Sequence, residues 1–106
     1  MATERKNRTR RQLELLAGGS LTLGKLAKAI REAEGWSLAD MGRKLRVTRA
    51  HVAAIELGKP VSPASAARYA RALGYSEAQF VRLALQDALR RSGLRYRVEV
   101  TSRASV

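Results

Sequence analysis

The sequence contains no cysteine and only one histidine, His51. The absence of cysteine excludes a disulfide framework and every metal site built on thiolates, and one imidazole cannot form a metal centre alone. No apolar run approaches the roughly 20 residues that a membrane-spanning helix needs, and the N-terminus is too polar for a signal peptide. The sequence also shows no nucleophile–base pair and no phosphate-binding loop. We therefore expect a cytoplasmic protein that is not an enzyme and has no cofactor, no metal and no membrane partner.

Acidic residues are scarce as well. The 106 residues include 21 lysines and arginines but only 9 aspartates and glutamates, which gives a net charge of +12 and a pI near 11.4. Such a charge attracts polyanions over a Debye length and speeds association with them. The alternatives are a basic surface that serves solubility and a genome that favours arginine over lysine. The length and the 45% hydrophobic content predict one domain.

The most informative stretch is residues 37–60, which read SLADMGRKLRVTRAHVAAIELGKP. Apolar residues recur there at helical spacing in two short segments, namely Leu38, Met41 and Leu45, then Val52 and Ile55. Ser37 and Thr48 stand at the N-cap positions of these segments, and Gly58 followed by Pro60 ends the second. Only three or four residues remain for the turn. Two short helices joined by so tight a turn predict a helix-turn-helix.

Three further helices are predicted around this pair, over residues 20–33, 62–73 and 76–92. Each begins at a serine or threonine cap and ends close to a glycine. The expected fold is therefore all-α, with five helices in a helical domain of residues 20–93. Residues 1–19 form a basic N-terminal arm, which either follows DNA along its backbone or minor groove or is a disordered terminus with generic attraction for phosphate.

The fifth predicted helix is more apolar than one small core requires. One stripe, formed by Phe80, Leu83, Ala84 and Ala88, can complete the core. A second stripe beside it contains Val81, Leu85 and Leu89. The second stripe either meets another subunit or is buried within the monomer.

The C-terminal tail, residues 94–106, changes from helical periodicity to alternation. Leu94, Tyr96, Val98 and Val100 fall on one face and residues 95, 97, 99 and 101 on the other, which predicts a strand over residues 94–101. A lone strand leaves its backbone groups unpaired, so we expect it to pair with the same strand of a second copy. The alternative is a frayed tail.

Three segments carry motifs that occur together in one protein family. They are REAEGWS at residues 31–37, VTR with IELGK at residues 47–49 and 55–59, and ARALG at residues 70–74. These resemble the lead-in, the recognition segment and the end of the fourth helix of the phage-repressor and Cro-type helix-turn-helix family, the Xre family. The resemblance covers residues 21–80. Two positions depart from the family pattern, because Leu38 replaces a usual glutamine and Gly42 a usual alanine.

The resemblance implies a role for individual residues in DNA recognition. Arg31 and Glu56 are implied to form a structural ion pair between the first helix and the recognition helix. The base-reading positions are those of Arg49, Ala50 and Ala54, since arginine can bind guanine O6 and N7 and alanine can touch a thymine methyl. The residues expected at backbone phosphates are Thr48, His51, Arg43, Lys44, Arg46 and Lys59. For these flanking residues the alternative is an ordinary solvated surface.

The function predicted from these observations is a dimeric transcriptional repressor that binds an inverted-repeat operator in double-stranded DNA. Its recognition helix, over residues 49–57, would lie in the major groove, and the dimer would form through Val81, Leu85, Leu89, Tyr96, Val98 and Val100. One competing hypothesis is an antitoxin that binds a toxin protein and regulates its own promoter. Another is a nonspecific nucleoid or RNA-binding protein that uses charge alone.

Overall fold

The computed structural model describes residues 21–103, so the predicted N-terminal arm and the first residue of the helix predicted over residues 20–33 lie outside it. Within this range the chain forms five helices and no strand: α1 Leu23–Glu34, α2 Leu38–Leu45, α3 Arg49–Glu56, α4 Pro63–Leu73 and α5 Glu77–Arg91. The prediction of an all-α, five-helix fold is confirmed. None of these five helices is both long and apolar enough to cross a membrane.

Side-chain caps determine where the helices begin. Ser37 and Asp40 form a complete capping box at the start of α2, in which each side chain accepts a hydrogen bond from the other residue's backbone N–H, at 3.0 and 2.9 Å. The Thr48 hydroxyl accepts from the backbone N–H of His51 at 3.0 Å and so begins α3. The remaining N-caps are Thr22, Ser62 and Ser76. Each cap satisfies a backbone donor that the first helical turn leaves without a partner.

The described chain divides into two compact units after Lys59. In the first, residues 21–59, α3 packs against both α1 and α2. Its buried apolar side chains are Leu21, Leu23, Leu26, Ala27, Ile30, Met41, Leu45, Val52 and Ile55. Since α2 and α3 have only eight residues each, they depend on this packing for stability.

The second unit, residues 60–103, consists of α4, α5 and the residues that follow α5. The two helices pack against each other and bury Ala66, Tyr69, Ala70, Leu73, Phe80, Leu83 and Ala84. The rings of Tyr75 and Phe80 lie 6.1 Å apart in a tilted arrangement, which is a favourable geometry for an aromatic pair.

The strand predicted over residues 94–101 is wrong for the described chain, in which residues 94–103 form no strand. A β-strand forms backbone hydrogen bonds to a neighbouring strand, and no such neighbour lies within residues 21–103. The side chain of Gln86 occupies the place of such a neighbour. Its amide nitrogen donates to the Tyr96 carbonyl at 2.6 Å, and its amide oxygen accepts from the Val98 N–H at 2.9 Å. The tail is therefore fastened to α5 rather than to another strand.

Candidate nucleic-acid interface

One side of α3 is buried and the opposite side is open to solvent. Val52 and Ile55 are 1% and 3% exposed, and they fix the rotation of the helix about its axis. Arg49 and Ala50, in the first turn, are exposed. Ala54 is half-buried. Two of the three predicted base-reading side chains are therefore open to solvent at the N-terminal end of the helix, and the third is partly covered.

A close backbone contact holds the other end of α3 against α1. Gly24, on α1, is buried, and a Cβ atom at this position would lie 2.3 Å from the Ile55 carbonyl oxygen. No side chain fits in that space, so only glycine allows the two helices to approach so closely. The prediction from sequence missed this residue. The signal that could have found it is an isolated glycine inside a strongly periodic helical segment. Such a glycine lowers helix propensity, and close packing against another element explains its presence.

An ion pair joins the same two helices. Arg31 donates to both carboxylate oxygens of Glu56, from Nε to Oε2 at 2.7 Å and from Nη2 to Oε1 at 3.1 Å. Its remaining nitrogen, Nη1, donates to the backbone carbonyl of Trp36 at 3.1 Å. The side chains of Arg31 and Glu56 are only 16% and 7% exposed. The hydrogen bond to Glu56 raises the pKa of Arg31, so the guanidinium keeps its charge.

The turn between α2 and α3 also depends on a glycine. A Cβ on Gly42 would lie 2.7 Å from the Val47 carbonyl oxygen, while the Val47 N–H donates to the Gly42 carbonyl at 2.9 Å. Arg46 adopts the left-handed conformation at the end of α2, with a φ of 59°. The replacement of the family's usual alanine by Gly42 thus has a local reason, because here the turn folds directly onto the helix.

Exposed basic side chains flank α3 along the sequence. Arg43, Lys44, Arg46 and Lys59 are all exposed. The Lys44 ammonium lies over the Trp36 ring, 4.9 Å from its centroid, and Lys59 Nζ lies 3.3 Å from His51 Nδ1. Arg43 bonds to the Asp40 carboxylate. The sequence did not indicate the partner of Lys44, since Trp36 precedes the cap of α2 and Lys44 lies at its end.

Asp40, an acidic residue of α2, adjoins this group through its bond to Arg43. The backbone N–H and the hydroxyl of Ser37, followed by the Arg43 guanidinium, hold the pKa of Asp40 below its usual value. The Asp40 carboxylate is therefore already paired, because it accepts hydrogen bonds from the Ser37 backbone N–H and from Arg43. The described part of the unit carries basic groups at its surface, and the carboxylate beside them is paired with Arg43, which suits a polyanionic ligand.

No group of three or more potential metal ligands occurs among residues 21–103. The chemistry available at the exposed end of α3 is hydrogen-bond donation by guanidinium, ammonium, imidazole and hydroxyl groups, with two alanine methyls between them. Donors of this kind bind phosphate and base edges.

Comparison with protein-family models gives one match, to the model described as Helix-turn-helix, over residues 28–80. The match covers half of the 106 residues. It begins within α1, includes the whole of α2, α3 and α4, and ends at Phe80 in α5. Comparison with the curated proteins and with the solved structures gives no match.

Proposed function

The chain belongs to the phage-repressor and Cro-type helix-turn-helix family, whose members are DNA-binding transcription regulators, and we propose that it acts as a dimeric repressor. In this proposal α3 lies in the major groove of an inverted-repeat operator. The observation that carries it is the exposure of Arg49 and Ala50 at the start of a helix whose opposite side is buried. A helix-turn-helix presents the first residues of its second helix to base edges.

Arg49 is the main base-reading residue in this proposal. Its guanidinium can donate two hydrogen bonds to O6 and N7 of a guanine, which is the commonest specific contact in the major groove. Ala50 can touch a thymine methyl, and the half-buried Ala54 is assigned the same kind of contact. Thr48 and His51 lie beside these residues and are assigned to phosphates.

The surrounding basic residues position the protein on the DNA without reading its sequence. Arg46 and Lys44, near the turn, and Lys59, after α3, are exposed and can each neutralise a phosphate. Lys44 is held over Trp36 and His51 is held beside Lys59, so two of these donors are partly ordered before they meet DNA. Ordering before binding lowers the entropic cost of each contact.

We place the dimer contact on α5 and on the apolar face of the tail. Leu85 and Tyr96 are 36% and 67% exposed. Val81, Leu89, Val98 and Val100 are half-buried. All six residues belong to one unit and leave apolar area uncovered in the single chain. In this proposal the two copies of α3 bind half-sites about one helical turn, roughly 34 Å, apart, as is usual for dimeric helix-turn-helix proteins.

Selection of bound fragments from a random DNA pool, followed by competition, tests this function. The selected site should be an inverted repeat, and its binding should survive an excess of unrelated DNA at physiological salt. Selection without any enriched sequence would contradict the proposal and favour a nonspecific nucleoid or RNA-binding protein.

The exposed apolar side chains of the second unit also fit an antitoxin, whose partner would be a toxin protein instead of a second copy. Sedimentation of the purified chain separates the two readings. A dimer supports the repressor; a monomer that forms a defined complex with the product of an adjacent gene supports the antitoxin.

A further inference from the structure

The second half of the chain obtains its positive charge from arginine alone. Residues 60–106 contain eight arginines and no lysine, whereas all five lysines lie before Pro60. Two of the arginines end α5, and three more follow it, at Arg95, Arg97 and Arg103. Arginine differs from lysine in presenting a planar fork of donors that matches the oxygens of phosphate.

Gln86 gives the segment that carries these arginines a fixed attachment. One amide group binds both the Tyr96 carbonyl and the Val98 N–H, at 2.6 and 2.9 Å. A carbonyl and an N–H two residues apart face the same side of the backbone in extended chain, so the two bonds hold residues 96–98 in one orientation. Because both bonds are made to the backbone, they leave the side chains of Arg95 and Arg97 available for other contacts.

The side chains of this segment divide into two sets. Val98 and Val100 are half-buried, while Arg95, Tyr96 and Arg97 are exposed. Arg97 has 88% of its side chain exposed, and its distance to the Glu99 carboxylate, itself 79% exposed, is 3.9 Å. An ion pair this exposed contributes little and is readily exchanged for another anion. At the end of α5, Arg90 is 3.4 Å from Asp87, and Arg91 is exposed.

We propose that Arg95 and Arg97, presented by the Gln86 attachment, bind the phosphate backbone of nucleic acid independently of its sequence. This surface is separate from α3 and would add affinity without adding base discrimination. Nucleic acid is favoured over other polyanions because the same chain belongs to a DNA-binding family. Once α3 is bound, the tail meets that DNA at a high effective concentration.

The salt dependence of binding to unrelated duplex DNA tests this proposal. The variant is Arg95→Gln with Arg97→Gln, and the matched control is Arg68→Gln with Arg71→Gln, two exposed arginines of α4 that remove the same charge. Loss of two phosphate contacts should reduce the slope of log Kobs against log salt by about 1.8. The control should change the slope by less than half of that amount. Circular dichroism of both variants should match that of the unaltered protein.

Equal slopes for the two variants would show that only net charge matters and would overturn the proposal. An unchanged slope in the Arg95 and Arg97 variant would also overturn it. The same holds if the variant loses affinity for polyglutamate or for vesicles of anionic lipid while its affinity for DNA stays unchanged. Since the DNA carries no selected site, the result does not depend on whether α3 reads sequence. A failure of sequence selection would in turn leave this measurement unaffected.

The attachment itself has a distinct expected effect. Gln86→Ala keeps both arginines but frees the tail, so binding should weaken by about two- to tenfold through the added cost of ordering it. The salt slope should stay the same, because the same phosphates are neutralised at the end. Unchanged affinity would show that the attachment does not present the arginines.

Discussion

A few individual contacts hold α3 in place. The Arg31–Glu56 ion pair shows which contacts of this kind can be predicted from the sequence. The resemblance implied the two partners, and the structure brings them together through two hydrogen bonds. It did not imply the third bond, from Arg31 to the Trp36 carbonyl. Every residue type has a backbone carbonyl, so the sequence does not show which carbonyl will accept a hydrogen bond. The carbonyl gives the third guanidinium nitrogen an acceptor. Three satisfied nitrogens allow a charged group to remain at 16% exposure.

The first prediction concerns this pair. Arg31→Ala or Glu56→Ala should lower the free energy of unfolding by roughly 3–5 kcal/mol, because each leaves the other charge almost buried and unpaired. Arg103→Ala, at an exposed arginine, serves as the control and should change it by less than about 0.5 kcal/mol. Denaturant unfolding of both single variants and the double variant measures the coupling between them. Small, additive losses would mean that the pair does not hold α3.

At the scale of helices, periodicity and caps predicted most of the fold. Serine or threonine stands at all five N-caps, and the apolar spacing identified the helix interiors. The tail could not be predicted in the same way. Alternation at residues 94–101 is a property of extended chain, whether or not it has a strand beside it. Nothing in the pattern indicates that a glutamine ten residues away takes the place of that strand.

The second prediction concerns the approach of α1 to α3. Gly24→Ala should destabilise the protein by about 1–3 kcal/mol, because the new methyl would overlap the Ile55 carbonyl and force the helices apart. Helix propensity alone predicts the opposite sign, a gain of about 1 kcal/mol. Ala33→Gly, at an exposed position of the same helix, is the control and should cost about 1 kcal/mol. Stabilisation by Gly24→Ala in denaturant unfolding would show that the contact can relax.

At the scale of the whole molecule, the property that is hardest to predict from one chain is its assembly with a second copy. The sequence identified two groups of apolar residues, on α5 and in the tail, and the structure places both in the second unit with part of their area uncovered. The extent of an interface depends on how two surfaces fit, and that property belongs to no single residue or helix.

The third prediction concerns the dimer. Leu85→Glu places a charge within the proposed contact and should make the protein monomeric in sedimentation. Affinity for an isolated half-site should hardly change, while affinity for the full inverted repeat should fall by at least about a hundredfold as the linked second contact is lost. The control for the sedimentation measurement is Leu57→Glu, since Leu57 is 90% exposed but lies in the first unit. A dimer that survives Leu85→Glu would place the contact elsewhere.

The central claim is that α3 reads DNA sequence through Arg49, and base-by-base binding of Arg49→Ala tests it most directly. Affinity of the unaltered and variant proteins is measured on the selected operator and on copies with one base pair changed, at constant physiological salt. The account predicts a loss of about 1–3 kcal/mol on the preferred operator and relaxed choice at one base pair of each half-site. Lys44→Ala, the control, should weaken all sequences alike and reduce the salt slope by about one. Uniform weakening across all sequences by Arg49→Ala would contradict the claim and make Arg49 a phosphate contact.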